Sequence, residues 1–147
     1  MALTLAPGIM TDTFAQLRSC GQGRDECVVY WTGPRRVPGA VDGVVQPAHR
    51  AGPDWYEVES AWITGFFLEL RRAGRTTRAQ VHSHPTVAWH SCTDDLYSLA
   101  PSPGFYSLVL PGFATGPVGL SGAYLAEVGS DGTWLERDAD AEIREGR

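Results

Sequence analysis

The stretch "VHSHPTVAWHSCTDD", residues 81–95, carries three of the chain's four histidines and two adjacent aspartates. It follows "TTRAQ", so residues 76–84 read as a strand running into the motif. Successive strand side chains alternate faces, so His82 and His84 point the same way. Pro85 then ends the strand. Two imidazoles side by side at a strand end make a clamp for a transition metal, and Asp94 or Asp95 supplies a third ligand. Two histidines and one carboxylate leave a coordination position open, as in catalytic rather than structural zinc sites. An ion held this way makes water nucleophilic near neutral pH.

Outward from this motif the chain alternates strands and helices. Met10, Phe14 and Leu17 have helical spacing over residues 10–20, with Gly21 as a stop. "ECVVYWTG", residues 26–33, is β-branched and aromatic and reads as a strand. "GAVDGVVQP" offers a second strand after a Pro38-Gly39 turn. The clearest helix starts at Asp54 as N-cap and runs to Gly74, with Val58, Ala61, Trp62, Gly65, Phe66, Leu70 and Ala73 on its apolar face. Thr93 caps a short helix through "DDLYSLA". "FYSLVLP" and "GLSGAYLAEVG" read as further strands, and "GSDGTW" turns into a last segment at Trp134. No repeat or long linker divides the chain, so residues 1–147 are expected to form one α/β domain, with a charged tail from about residue 136.

Composition narrows the function classes. The 147 residues are 43% hydrophobic and 20% charged, ordinary for a globular protein with its own core. A net charge of -5 argues against a nucleic-acid partner. Arg71, Arg72, Arg75 and Arg78 cluster in sequence and read as a solvated helix end. All twelve basic residues are arginine, which fits nucleotide bias in a chain rich in Gly, Ala, Pro and Arg. No apolar run approaches the ~20 residues of a membrane helix, and the N-terminus lacks the pattern of a secretory signal. Three cysteines, Cys20, Cys27 and Cys92, leave one unpaired in any scheme, so a reducing cytoplasm is expected, with Cys27 a buried strand thiol.

Other metal folds that begin with His-x-His do not fit. Amidohydrolase barrels need roughly 250 residues. Cupins follow His-x-His with a glutamate ligand and a later histidine, whereas here no glutamate follows until Glu127 and no histidine follows His90. A nucleophilic pair of Cys92 and His90 leaves the "HSHP" spacing unexplained.

"HSHP", then Ser-x-x-Asp, with an upstream glutamate opening an apolar strand, resembles the JAMM (MPN+) zinc metalloproteases of the deubiquitinase type. "HSCTDD" and "SLVLP" resemble especially the small bacterial members. The resemblance runs from Glu26 through Pro111. It implies a cytidine-deaminase-like α/β fold, a mixed β-sheet sandwiched by helices. By position it implies that His82, His84 and Asp94 hold Zn2+, that Glu26 is the general base, and that Ser91 donates a hydrogen bond to the oxyanion. On the residues alone Glu57, Glu59 and Glu69 compete with Glu26, and only the resemblance ranks Glu26 first. The family usually has one residue more between the Pro and the Ser. An ungapped match puts Cys92 and Asp95 in the serine and ligand positions, whereas a one-residue deletion keeps Ser91 and Asp94. The deletion is preferred, because a thiol is a weak donor and competes for zinc.

The resemblance further implies hydrolysis of the peptide or isopeptide bond after the C-terminus of a ubiquitin-like protein. Bacterial relatives of this size accompany E1-like and E2-like enzymes, in some cases in antiphage systems. The segment after Asp95 is short, which implies weak grip on eukaryotic ubiquitin chains. Two other readings stand beside this one: a JAMM hydrolase acting on a sulfur-carrier adduct, and a non-catalytic MPN scaffold, which the intact ligand set argues against. Ser83 is expected to be structural and His49 a surface-loop residue. His90 is expected in the loop and Trp89 either as a cleft wall or as packing for the loop.

Overall fold

A computed structural model describes residues 2–89 and 102–147. In chain order the elements are β1 (Leu3–Leu5), α1 (Ile9–Gly21), β2 (Val28–Pro34), β3 (Ala40–Val41), β4 (Gly43–Val45), β5 (His49–Gly52) and β6 (Trp55–Val58). They continue with α2 (Ser60–Arg72), β7 (Arg75–Ser83), β8 (Tyr106–Leu110), β9 (Tyr124–Val128), β10 (Trp134–Arg137), α3 (Ala139–Glu142) and β11 (Ile143–Glu145). The main sheet has six strands in the order β10-β9-β8-β7-β2-β4. β7 and β8 run parallel, and the other pairs in this sheet are antiparallel.

β2 shows why the sheet needs a layer on each face. Its residues from Val28 to Gly33 are all buried, the mark of a strand covered on both sides. Val29 and Trp31 point into a core shared with Ile9, Phe14 and Leu17 of α1. Val28 and Tyr30 point the other way, into a cluster with Phe66 and Leu70 of α2 and Tyr56 of β6. The expected helix–sheet–helix sandwich is therefore observed. The two faces differ in chemistry. On the α1 side the Trp31 indole N–H donates to Thr13 Oγ1 at 2.8 Å, and Thr13 in turn donates to the Ile9 carbonyl at 2.7 Å. On the α2 side Tyr30 stacks beside Trp62 and Phe66, and burial pushes its phenol well above the usual tyrosine range.

Several expectations need correction. The second helix begins at Ser60, not near Asp54, and residues 49–58 form the β5–β6 hairpin with Asp54 in its turn. Residues 55–58, Trp-Tyr-Glu-Val, hold two aromatics and a β-branched valine, with Tyr56 and Val58 buried in alternation, which suits a strand, and the cap at Glu59 makes no side-chain hydrogen bond. Of the predicted apolar face, Phe66 and Leu70 are buried and Trp62 is half-buried, but Ala61, Gly65 and Ala73 are exposed. The arginine cluster divides. Arg71 and Arg72 are exposed in the last turn of α2, as expected. Arg75 bonds Thr32 and Asp42, and Arg78 donates to the carbonyls of Pro34 and Val37, so both tie down the turn after β2.

The charged tail is also more than a tail. Asp138 accepts from the N–H groups of Asp140 and Ala141, starting α3. Ile143 is buried, and β11 pairs in parallel with β1. The Tyr106 hydroxyl donates to Glu142 at 2.8 Å, and burial together with that bond holds its proton well above the ordinary range. No helix among the described residues is long and apolar enough to cross a membrane. The short helix expected after Thr93 lies outside the described residues.

The buried Trp31–Thr13 bond gives a stability prediction. Thr13→Val keeps the shape but strands the indole N–H, so it should lower unfolding free energy by about 1–3 kcal/mol in denaturant titration. A change within about 0.5 kcal/mol, the range of an ordinary surface substitution, would show that the bond contributes nothing.

Candidate metal-dependent hydrolytic site

The site is built by the register between β2 and β7. Val28 pairs with His82 in the antiparallel ladder. Continuing that register places Cys27 opposite Ser83 and Glu26 opposite His84. The backbone confirms it: Ser83 N–H donates to the Cys27 carbonyl at 3.1 Å, and Cys27 N–H donates to Ser83 Oγ at 3.1 Å. Ser83 is thus structural, as expected, and it fixes the residue next to Glu26. Glu26 N–H donates to the Gly52 carbonyl at 2.8 Å, so the β5–β6 hairpin holds it from the other side.

Alternation then brings the side chains together. His82, His84 and Glu26 share the face that carries Val28 and Tyr30. His82 Nε2 lies 3.2 Å from His84 Nε2, and Glu26 Oε1 lies 3.8 Å from His84 Nε2. All three are buried, at 0%, 4% and 5% exposure. Ionisable groups this deeply buried are costly unless they serve one another or an ion. Tyr56 backs His82, with ring centroids 5.2 Å apart. The backbone beyond β7 is clamped by the turn after β8. His84 N–H donates to the Leu110 carbonyl, Phe113 N–H to that of His84, and Gly112 N–H to that of Thr86.

The donor set fits a metal ion. Two imidazole nitrogens bound tetrahedrally to zinc at ~2.0–2.1 Å sit about 3.3 Å apart. The observed separation of the two Nε2 atoms is 3.2 Å. The expected third ligand, Asp94, and its alternative Asp95 lie outside the described residues, as do Ser91, His90 and Cys92. The competing acids are elsewhere. Glu57 bonds exposed Arg50 at 3.0 Å, Glu59 precedes α2, and Glu69 is exposed on that helix.

A cavity of about 260 Å³ opens beside Glu26 and His84, with Asp54, Val87 and Trp89 in its wall. Trp89 stands edge-on to His84 at 5.6 Å and is 56% exposed, while Val87 is 71% exposed. Of the two roles open to Trp89 in the sequence, the structure favours the cleft wall. Asp54 is the residue that sequence reasoning missed. "RAGPDWYEV" has a Gly-Pro-Asp turn between two strand-like runs, a hairpin signal that fits a helix cap equally well. A larger cavity of about 670 Å³ lies between α2 and β4. Its wall brings together no histidine or cysteine and only one acid, Glu69, so the smaller cleft is the chemical one.

Two further expectations change. Cys27 is buried, but it is bonded to Cys20 rather than a free thiol, because the end of α1 meets the start of β2 with the two Cα atoms 6.2 Å apart. His49 is not a loop residue. It opens β5 half-buried, with Nε2 3.3 Å from Cys20 Sγ.

No family model matches the chain. Over 127 residues it is 33% identical to the probable metalloprotease y4jG of Sinorhizobium fredii (strain NBRC 101917 / NGR234), covering 83% of this chain and 78% of that relative. Among solved structures, AF2198, a JAB1/MPN domain protein from Archaeoglobus fulgidus, matches 99% of this chain and 98% of its own at 15% identity and a TM-score of 0.52. A structure reported as "JAMM: a metalloprotease-like zinc site in the proteasome and signalosome" matches all of both chains at 14% identity and a TM-score of 0.52. At these identities the two structures show the shared fold alone.

Two predictions follow from the geometry. On disulfide-bonded protein, His82→Ala and His84→Ala should each abolish stoichiometric zinc by metal analysis, and full retention in either would remove that ring from the site. Trp89→Ala should lower kcat/KM roughly tenfold while leaving bound zinc unchanged. An unchanged kcat/KM would leave Trp89 as loop packing only.

Proposed function

The chain belongs to the JAMM/MPN metalloproteases, and on that premise we propose that it is a zinc isopeptidase acting after the C-terminus of a ubiquitin-like modifier. It would mature a modifier precursor or remove the modifier from its target, within a bacterial conjugation system that includes E1-like and E2-like enzymes and that serves in antiphage defence in some hosts. The observation that carries the hydrolytic part is the placement of a buried carboxylate, Glu26, 3.8 Å from a ring whose neighbour converges on it at 3.2 Å.

The residues divide the work as follows. His82 and His84 would hold the ion, with Asp94 proposed to complete the set. Zinc, when bound there, supplies a Lewis acid that polarises water and the scissile carbonyl. Glu26 takes a proton from the attacking water and delivers it to the leaving amine, work worth typically ~10²–10⁴ in rate. Ser91 donates a hydrogen bond to the carbonyl oxygen as its charge grows, and losing one such donor typically costs ~10²–10³.

The shape of the site supports a slender substrate end. The cleft is small, and its rim carries exposed Val87 and Trp89. Beside it, the β5–β6 hairpin is a separate two-stranded sheet. A sheet edge of this kind can accept an extended peptide tail by strand addition. A tail ending in glycine lies flat enough to bring its last carbonyl to the buried rings.

The test uses fusions of candidate ubiquitin-like modifiers to a reporter, with sulfur-carrier adducts as a second panel. Wild type should cleave after the modifier's last residue, chelation should stop cleavage, and added zinc should restore it. Glu26→Ala should be slower by at least ~10² with zinc still bound. Wild-type rates in Glu26→Ala would remove the general base, and cleavage of sulfur-carrier adducts alone would replace the modifier reading.

A further inference from the structure

We propose that Cys20, Cys27 and His49 form a second metal centre, taking Zn2+ when the two cysteines are reduced and releasing it when they join. None of its donors belongs to the His82–His84 pair. Among the described residues, Cys20, Cys27 and His49 are the one group of three cysteine, histidine or acidic side chains whose ligand atoms all lie within 4.8 Å of one another.

Three elements converge to make it. Cys20 sits in the last turn of α1, Cys27 directly precedes β2, and His49 opens β5. Cys27 is fully buried and Cys20 and His49 are half-buried, so the donors are shielded on one side and reachable on the other.

The histidine is already set for ligation. Its Nδ1 lies 2.8 Å from the Pro47 carbonyl oxygen. A carbonyl only accepts, so Nδ1 carries a proton, and it is Nε2 that is left to present a lone pair to an ion. This is how metal-bound histidines are generally held, with the other ring nitrogen donating to a carbonyl or carboxylate. Nε2 lies 3.3 Å from Cys20 Sγ. In the disulfide that sulfur has no proton to offer, so two lone pairs face each other. Reduction changes the chemistry of the contact. Two thiolates and one imidazole form a soft donor set that suits zinc, with water in the fourth position.

The redox step balances with a dithiol as reductant. One of its thiolates attacks the disulfide and expels a cysteine thiolate. Its second thiolate then closes on the mixed disulfide and releases the other. Two electrons and two protons pass to the protein. Zinc binding then displaces the two thiol protons. A small-molecule disulfide as oxidant reverses the exchange and frees the ion. Cys27 adjoins Glu26 in the chain and its N–H donates to Ser83 Oγ, so one donor of the centre lies next to the hydrolytic site while its own side chain packs into the α1 core.

Cobalt reads this centre separately, because thiolate ligands give a near-ultraviolet charge-transfer band that a histidine–carboxylate site lacks. The full-length protein is reduced with a dithiol, the reductant is removed anaerobically, and Co2+ is titrated. The expected result is a saturable band that Zn2+ displaces, present in wild type and Cys92→Ser and absent in Cys20→Ser, His49→Ala and disulfide-bonded protein. Circular dichroism and intact mass establish that each sample is folded and in the stated redox state. No band in folded, reduced protein overturns the proposal. So does a band that Cys92→Ser removes and Cys20→Ser leaves, or a disulfide that the dithiol cannot open without unfolding the chain.

Discussion

The alignment of β2 against β7 is the constraint on which the rest depends. Strand side chains repeat every two residues, so a slip of one position would turn every side chain of β2 to the other face. The pairing of Val28 with His82 does two things at once. It sends Val29 and Trp31 into the α1 core and Val28 and Tyr30 into the α2 cluster. It also carries Glu26 to the end of β7, where His84 waits. The apolar burial on both faces is what specifies the register, and the convergence of Glu26 with the two rings follows from it. The reciprocal bonds between Ser83 and Cys27 lock the last step before the acid.

The site lies where three separately built pieces meet. β7 delivers the rings, the approach to β2 delivers the carboxylate, and the β5–β6 hairpin holds the backbone of that carboxylate through Gly52. The turn after β8 then fixes the backbone of His84 on its far side. Positioning by strands and paired backbone, rather than by a free loop, holds the buried rings 3.2 Å apart at their Nε2 atoms and the carboxylate 3.8 Å from the nearer one. It also explains why a chain of this size can maintain three ionisable groups at 5% exposure or less.

Part of this was legible in the residues. Strand alternation placed His82 and His84 on one face, and Pro85 marked where the strand ends. The apolar period found α1, and the β-branched and aromatic run of residues 26–33 found β2. What could not be read was any relation that depends on pairing between distant segments. That Glu26 rather than Glu57, Glu59 or Glu69 reaches the rings follows from a strand register that no local pattern encodes. The place of His49 beside Cys20 depends on the same kind of long-range meeting, whereas the Cys20–Cys27 bond joins residues only 7 apart and depends on where α1 stops and β2 starts. The hairpin at 49–58 is not legible locally, because Asp54 serves equally well in a turn or as a helix cap, and the charged tail hides one buried residue, Ile143, that docks it. Asp94, Asp95 and Ser91 fall outside the described residues.

The central claim is that one ion is held by the paired imidazoles with Glu26 poised over it. A crystal structure of protein grown with zinc, with anomalous data collected at the zinc edge, addresses this directly. The account predicts an anomalous peak within bonding distance of both His82 Nε2 and His84 Nε2, with the Glu26 carboxylate no farther from it than one bridging water. A peak elsewhere with those rings unliganded, or a Glu26 side chain turned out of the cleft, would contradict it.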